Sequence, residues 1–203
     1  MKKSDFRINF LVQFFFIYLI FTSIASTENN NINSVVLGED NAPVKIKVFS
    51  SLTCPHCASF HKDVVPEIKK KYIDAGKVQI IFIDFPLDKI AFNASKLLHC
   101  LERNKQISFL DTIYDKQNQW TTGSNSEEIN NNLKKLVETF GMNSKTFDKC
   151  LNNEIIAEKI LNGRIDGQQK YSIDSTPTII INEKKFKGSA SFKNIKKEIE
   201  KLI

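Results

Sequence analysis

Phe49-Ser50-Ser51-Leu52-Thr53-Cys54-Pro55-His56-Cys57 is the stretch on which the fold turns. Upstream of it, Val44 to Phe49 alternates Val, Ile and Val against Lys45 and Lys47, the period of two that a strand requires. Downstream, a helix is predicted to begin at Thr53 or Cys54, with Pro55 in the first turn, where its missing N–H costs nothing. That helix is predicted to run to about Tyr72, to kink at Pro66 and to end at Gly76. Val78-Gln79-Ile80-Ile81-Phe82-Ile83 then forms a nearly continuous β-branched and aromatic run, the mark of a buried parallel strand. Strand, helix and strand in this order make a βαβ unit.

Beyond the second strand the text turns helical. Ile90 to Glu102, Ile107 to Lys116, Ser126 to Phe140, Ser144 to Leu151 and Glu154 to Tyr171 all place apolar residues at helical spacing. Turn-forming text such as Thr121-Thr122-Gly123-Ser124-Asn125 separates them. Strand text returns at Thr178-Ile179-Ile180-Ile181 and at Lys185-Phe186, a hairpin around Asn182-Glu183-Lys184. Phe192 to Leu202 closes the chain as an amphipathic helix. The fold class read from this pattern is α/β, with a helical insertion splitting the sheet-forming parts. The expected divisions are a first half at 38–87, the insert at 88–171 and a second half at 172–203.

The chain has 203 residues, 41% of them hydrophobic and 26% charged, which suits one domain with a substantial core. Its net charge of +6 is mild, and its lysine pairs are scattered through unrelated elements, as solvated faces are; this excludes a nucleic-acid footprint. Lys2, Lys3 and Arg7 precede an apolar run from Phe10 to Phe21, and Ser23-Ile24-Ala25 supplies small residues at cleavage spacing. The reading is a signal peptide over 1–25, cleaved after about Ala25, with an uncleaved membrane anchor as the alternative. A polar, Asn-rich lead is expected over 26–37. Export would place all four cysteines, Cys54, Cys57, Cys100 and Cys150, where disulfides persist. Two pairs are the economical arrangement: the close Cys54/Cys57, and Cys100 with Cys150, whose longer loop makes a stabilising bridge. A zinc site built from all four cysteines is the alternative.

Cys54 at a helix start faces unpaired backbone N–H groups and the positive end of the helix dipole, so its thiolate is favoured. Cys54 is therefore the expected nucleophile and Cys57, deeper in the first turn, its resolving partner. His56 adds a hydrogen-bond donor, or a cation when protonated, and a better-stabilised thiolate makes the disulfide more oxidising. His61 and His99 lack such a context and are expected on the surface or the edge of the core.

The order of elements, Cys54-Pro55-His56-Cys57 at a helix start, Asp84-Phe85-Pro86-Leu87 and Thr176-Pro177-Thr178 before the hairpin resembles the DsbA-like branch of the thioredoxin superfamily. With a second cysteine pair in the insert, the chain is most similar to DsbA proteins of intracellular α-proteobacteria. The resemblance covers residues 38–203 and implies a thioredoxin fold, a mixed sheet flanked by helices. It also implies a cis Pro177 packed with Thr176 against the active pair, where an extended substrate would dock. Relatives of this kind are periplasmic monomers that act on unfolded exported proteins, need no cofactor beyond the Cys54–Cys57 disulfide, and are re-oxidised by a quinone-linked membrane partner of the DsbB type. One departure concerns the buried acid that many relatives carry six positions before the first motif cysteine: Val48 stands there. The expected function is the introduction of disulfides into exported proteins. An isomerase or reductase of the same fold and a non-catalytic chaperone or binding module are the alternatives. Residues 26–43 leave no room for the N-terminal dimerisation domain of the isomerases, and an intact Cys-Pro-His-Cys argues against a mere binding module.

Overall fold

The computed structural model describes residues 34–203. Five strands form one mixed sheet in the order β1-β3-β2-β4-β5. β2 (Val44–Ser50) and β3 (Val78–Asp84) are its parallel centre, with Ile46 opposite Ile80 and Ser50 opposite Asp84. β4 (Thr178–Ile181) runs antiparallel to β2, and β5 (Lys184–Lys185) antiparallel to β4. The period of two in β2 works as the sequence suggests. Val44, Ile46 and Val48 enter the larger apolar cluster, while Phe49 enters a smaller one with Phe85, Ile173 and Ile180. Each fully buried aliphatic side chain of this kind contributes roughly 1.5–3 kcal/mol.

The expected flexible lead over 26–37 is corrected at its end: Ser34–Leu37 is a strand, β1, antiparallel to β3. Its Val35 reaches the core at 3% exposure, which sets the register of this edge. Gly38, at φ +107°, turns the chain away from β1; a Cβ there would lie 2.7 Å from the Val78 carbonyl oxygen. The expected signal peptide over 1–25 lies outside the described residues.

Helical backbone runs from Pro55 to Ile73, as far as predicted, and is interrupted beside Pro66 where the kink was expected. α1 (Pro55–Asp63) stops at Val64, and α2 (Val65–Ile68) passes into a π turn over Lys69–Ile73. Pro66 is the cause: it has no N–H to donate and its ring crowds the carbonyl four residues back, so the break falls just ahead of it. Gly76, at φ +67°, follows where the end was predicted. The insert contains α3 (Lys89–Cys100), α4 (Arg103–Asp115), a short α5 (Gln117–Trp120), α6 (Ser126–Glu138), α7 (Ser144–Leu151) and α8 (Glu154–Tyr171). α6, α7 and α8 start sharply because Asn125, Asn143 and Asn153 each accept a hydrogen bond from a first-turn N–H. Cys100 and Cys150 form a disulfide that joins α3 to α7, so these two are not zinc ligands. Beside it, the Lys96 ammonium donates to the Leu151 carbonyl, tying the same two helices a second time. α9 (Phe192–Ile199) buries Ile195 and Ile199 and ends the described chain's secondary structure. No helix of the described residues is long and apolar enough to cross a membrane.

Candidate active site

The sheet ends at the site. β2 delivers the chain through Ser50, Ser51 and Leu52 to Cys54, which caps α1 with extended backbone and no side-chain capping bond. Pro55 is the first helical residue. Cys57 and Ala58 donate their backbone N–H groups to the Cys54 carbonyl, each at 3.1 Å. Cys54 and Cys57 are free thiols, and both are buried. The Thr176-Pro177 peptide bond is cis, and the Cys54 thiol reaches the Thr176 carbonyl oxygen at 3.3 Å. The structure therefore brings Cys54, Pro55, Cys57, Thr176 and Pro177 to one place. His56 sits exposed at the same turn, and it is its backbone N–H that the fold directs at Cys54 Sγ.

The two sulfurs are held in opposite electrostatic conditions. A hydrogen bond from the Cys57 thiol lowers the Cys54 pKa to about 5, against the opposing effect of burial. The Thr176 hydroxyl and the backbone N–H groups of Cys57 and His56 act in the same direction. The Thr176 hydroxyl is buried and has no other hydrogen-bond partner, so its influence on the Cys54 thiolate is not divided with another group. Cys57 is the reverse case: its interaction with Cys54 and its burial push its thiol far above the ordinary range. Such a pair ionises at the outer sulfur and keeps its proton on the inner one, the division of labour that dithiol exchange needs.

Several supporting residues carry no motif. Gln117 of α5 is buried, and its side-chain amide donates to the carbonyls of Leu52 at 2.8 Å and Cys54 at 3.1 Å. Thr53 donates to Asp88 at 2.5 Å, and Asp88 caps α3 through the Ala91 N–H at 2.7 Å, so the loop before Cys54 is pinned to the insert on a second side. His61, expected at the surface or core edge, is buried, whereas His99 is half-buried at the core edge as expected, with its side chain turned inward. Each faces a carboxylate: His61 Nε2 lies 2.7 Å from Asp111, and His99 Nε2 lies 2.5 Å from Asp84. Asp84 also accepts from the Ser95 hydroxyl at 2.5 Å. These partners are 11 to 50 residues away in the chain, and no local pattern of residue types announces them.

The thioredoxin family profile matches residues 30–201. A putative protein-disulfide oxidoreductase of Rickettsia prowazekii is 30% identical over 173 residues, which is 84% of this chain and 62% of that one. The chain thus spans less than two thirds of that relative's length. Disulfide bond formation protein D of Bacillus subtilis is 29% identical over 176 residues, 83% of this chain and 76% of that protein. The crystal structure of Wolbachia pipientis alpha-DsbA1 superposes with a TM-score of 0.74 at 30% identity, covering 84% of this chain and 90% of the other. BdbD from Bacillus subtilis gives 0.73 at 28% identity, with coverage of 84% and 92%. By profile, relatives and shared architecture, the chain belongs to the thioredoxin family, in its DsbA-like branch of thiol-disulfide oxidoreductases.

Proposed function

We propose that this chain introduces disulfide bonds into exported proteins by dithiol-disulfide exchange at Cys54–Cys57, and that it works in the periplasm after removal of its signal peptide. The observation that carries the reading is the asymmetry of the pair, a thiolate-favouring Cys54 beside a Cys57 that holds its proton. A stable Cys54 thiolate stabilises the reduced enzyme, so its disulfide is readily given up to a substrate. The substrate thiolate attacks Cys54 Sγ to form a mixed disulfide, and Cys57 leaves. A second substrate thiol then attacks the substrate sulfur, releasing Cys54 as thiolate. The half-buried segment at Thr176 and Pro177 is where an extended, unfolded substrate would dock. No cofactor enters this cycle, and a DsbB-type membrane partner would re-oxidise the dithiol. The protein would act as a monomer.

The test uses a dithiol peptide mixed with the oxidised protein. Cys54→Ala should abolish oxidation of the peptide, whereas Cys57→Ala should accumulate a mixed disulfide at Cys54. Peptide oxidation that survives Cys54→Ala at the wild-type rate would overturn the assignment.

A further inference from the structure

Charge is unevenly distributed along this chain. Residues 26–181 carry nineteen cationic and nineteen acidic side chains, whereas residues 182–203 carry seven lysines against three glutamates. Each of those glutamates is already engaged: Glu183 with Lys47 and Lys170, Glu198 with Lys201, and Glu200 with Lys71 and Lys196. Lys47, Lys71 and Lys170 come from outside the segment, so its own surplus is left uncompensated.

The fold gathers part of that surplus at one cavity. Its volume is about 580 Å3, and ligand sites span roughly 300–1,000 Å3. The β4–β5 hairpin, the two residues after it and the turn that follows α9 line it. Lys184, Lys185, Lys187 and Lys201 face it with one acid, Glu198. Lys201 meets that acid at 2.7 Å, and Lys185 donates to the Ser172 carbonyl at 2.7 Å. The ammonium groups of Lys184 and Lys187 meet no carboxylate among the described residues. Apolar lining comes from Ile181, Phe186 and Leu202. Leu202 is 45% exposed, and Ile203 beyond it 48%.

A ligand that suits this lining is anionic at several points and apolar beside them. A small soluble anion meets only the first condition. The headgroup layer of an anionic bilayer meets both, with phosphates for the lysines and the acyl boundary for Leu202. α9 itself does not insert, because Ile195 and Ile199 are fully buried in the protein core. The contact is therefore shallow and chiefly electrostatic. It also lies away from the active pair: Thr178 of β4 stands opposite Phe49, close to the loop that leads to Cys54, and Ile181 opposite Ile46 at the other end.

We propose that this lysine-lined cavity docks the folded protein on an anionic phospholipid surface and leaves Cys54 uncovered. The inference goes beyond disulfide exchange and does not depend on it. Held in this way, the protein stays at a membrane while its reactive sulfur remains open to solution.

The experiment is sedimentation of the full chain with vesicles of phosphatidylcholine, alone or mixed in equal parts with phosphatidylglycerol. The apolar run from Phe10 to Phe21 is common to every variant, so differences between variants read the cavity. Each lysine near an anionic surface contributes roughly fivefold, so Lys184→Gln with Lys187→Gln should weaken binding to the anionic vesicles about 25-fold. Binding to phosphatidylcholine alone should not change, and added salt should shrink the difference between wild type and variant. Lys145→Gln with Lys149→Gln removes the same charge from α7 and should leave anionic binding as it was. In the reduced wild-type protein, Cys54 should be alkylated as fast on the vesicles as in solution. Equal losses in the two double variants would reduce the effect to net charge and overturn the site, as would no loss at Lys184 and Lys187. Protection of Cys54 by the anionic vesicles would overturn the orientation.

Discussion

Exposure does not mark out the reactive pair of this chain: Cys54 and Cys57 are as buried as Cys150, each less than a tenth exposed, and the half-buried cysteine is Cys100 of the inert pair. What differs is which end of a helix each sulfur meets. Cys54 stands at the N-terminus of α1, where backbone N–H groups converge. Cys100 is the last residue of α3 and Cys150 the last but one of α7, at the ends where carbonyls gather and a thiolate is disfavoured. One sequence thus makes a reactive pair and an inert pair from the same residue type, and polarity of the surrounding backbone, more than access to water, separates them.

The sharpest way to break that contrast is to titrate alkylation in the fully reduced protein. Cys54 should react half-maximally near pH 5, against an ordinary thiol value of 9.0. Cys100 and Cys150 should show no rise in that range. A common titration for all four would refute the contrast. The sign of the linked stability follows. A thiol lowered in the folded reduced state stabilises that state fully above pH 9.0, less as the pH falls, and not at all below about 5. The reduced form should therefore gain on the disulfide form as pH rises through this window, measured by denaturation of both forms.

A second test concerns the inert pair. Replacing Cys100 and Cys150 with Ala opens a loop whose ends are 50 residues apart, for which chain entropy predicts a loss of about 4 kcal/mol. Denaturant unfolding should report the loss, and the rate of peptide oxidation should stay within about twofold of wild type if this bridge takes no part in exchange. A large fall in rate without a fall in stability would join the two pairs functionally. The smallest effect is expected at Thr176→Val, which keeps the shape and removes the hydroxyl. One hydrogen bond to a charged sulfur is worth about 1.5 kcal/mol, so the Cys54 titration should rise by about one pH unit. An unchanged titration would leave the Cys57 thiol and the backbone N–H groups as the sources of the contrast.

Much of the fold could be read in the residues because local signals and tertiary packing agree there. α7 and α8 begin and end where periodicity places them, since Asn143 and Asn153 are strong caps. The alternation in β2 and the apolar run of β3 map directly onto the centre of the sheet. β1 was not legible: four residues in a polar, Asn-rich context become a strand only because β3 offers an unpaired edge. The break at Val64 was legible, because Pro66 lacks an N–H and must disturb the turn before it. At the site, the cysteine motif and Thr176-Pro177 announce themselves through unusual residue types at unusual places. Gln117 and His61 do not, because a lone glutamine or histidine on an apolar helix face acquires meaning only from what the fold sets opposite it.

Gln117 bears on how such a chain could have grown. Insertions into a domain are usually tolerated as surface additions that can be trimmed without touching what they were added to. Here the insert's amide satisfies two buried carbonyls of the loop that ends in Cys54. Excising residues 88–171 would leave the Leu52 carbonyl without its side-chain donor, at a cost of about 1–3 kcal/mol, and would strip one of three donors from the Cys54 carbonyl, which keeps the Cys57 and Ala58 N–H groups. The added module has become an obligate part of the older one, and its lineage cannot shed it and keep the same active loop.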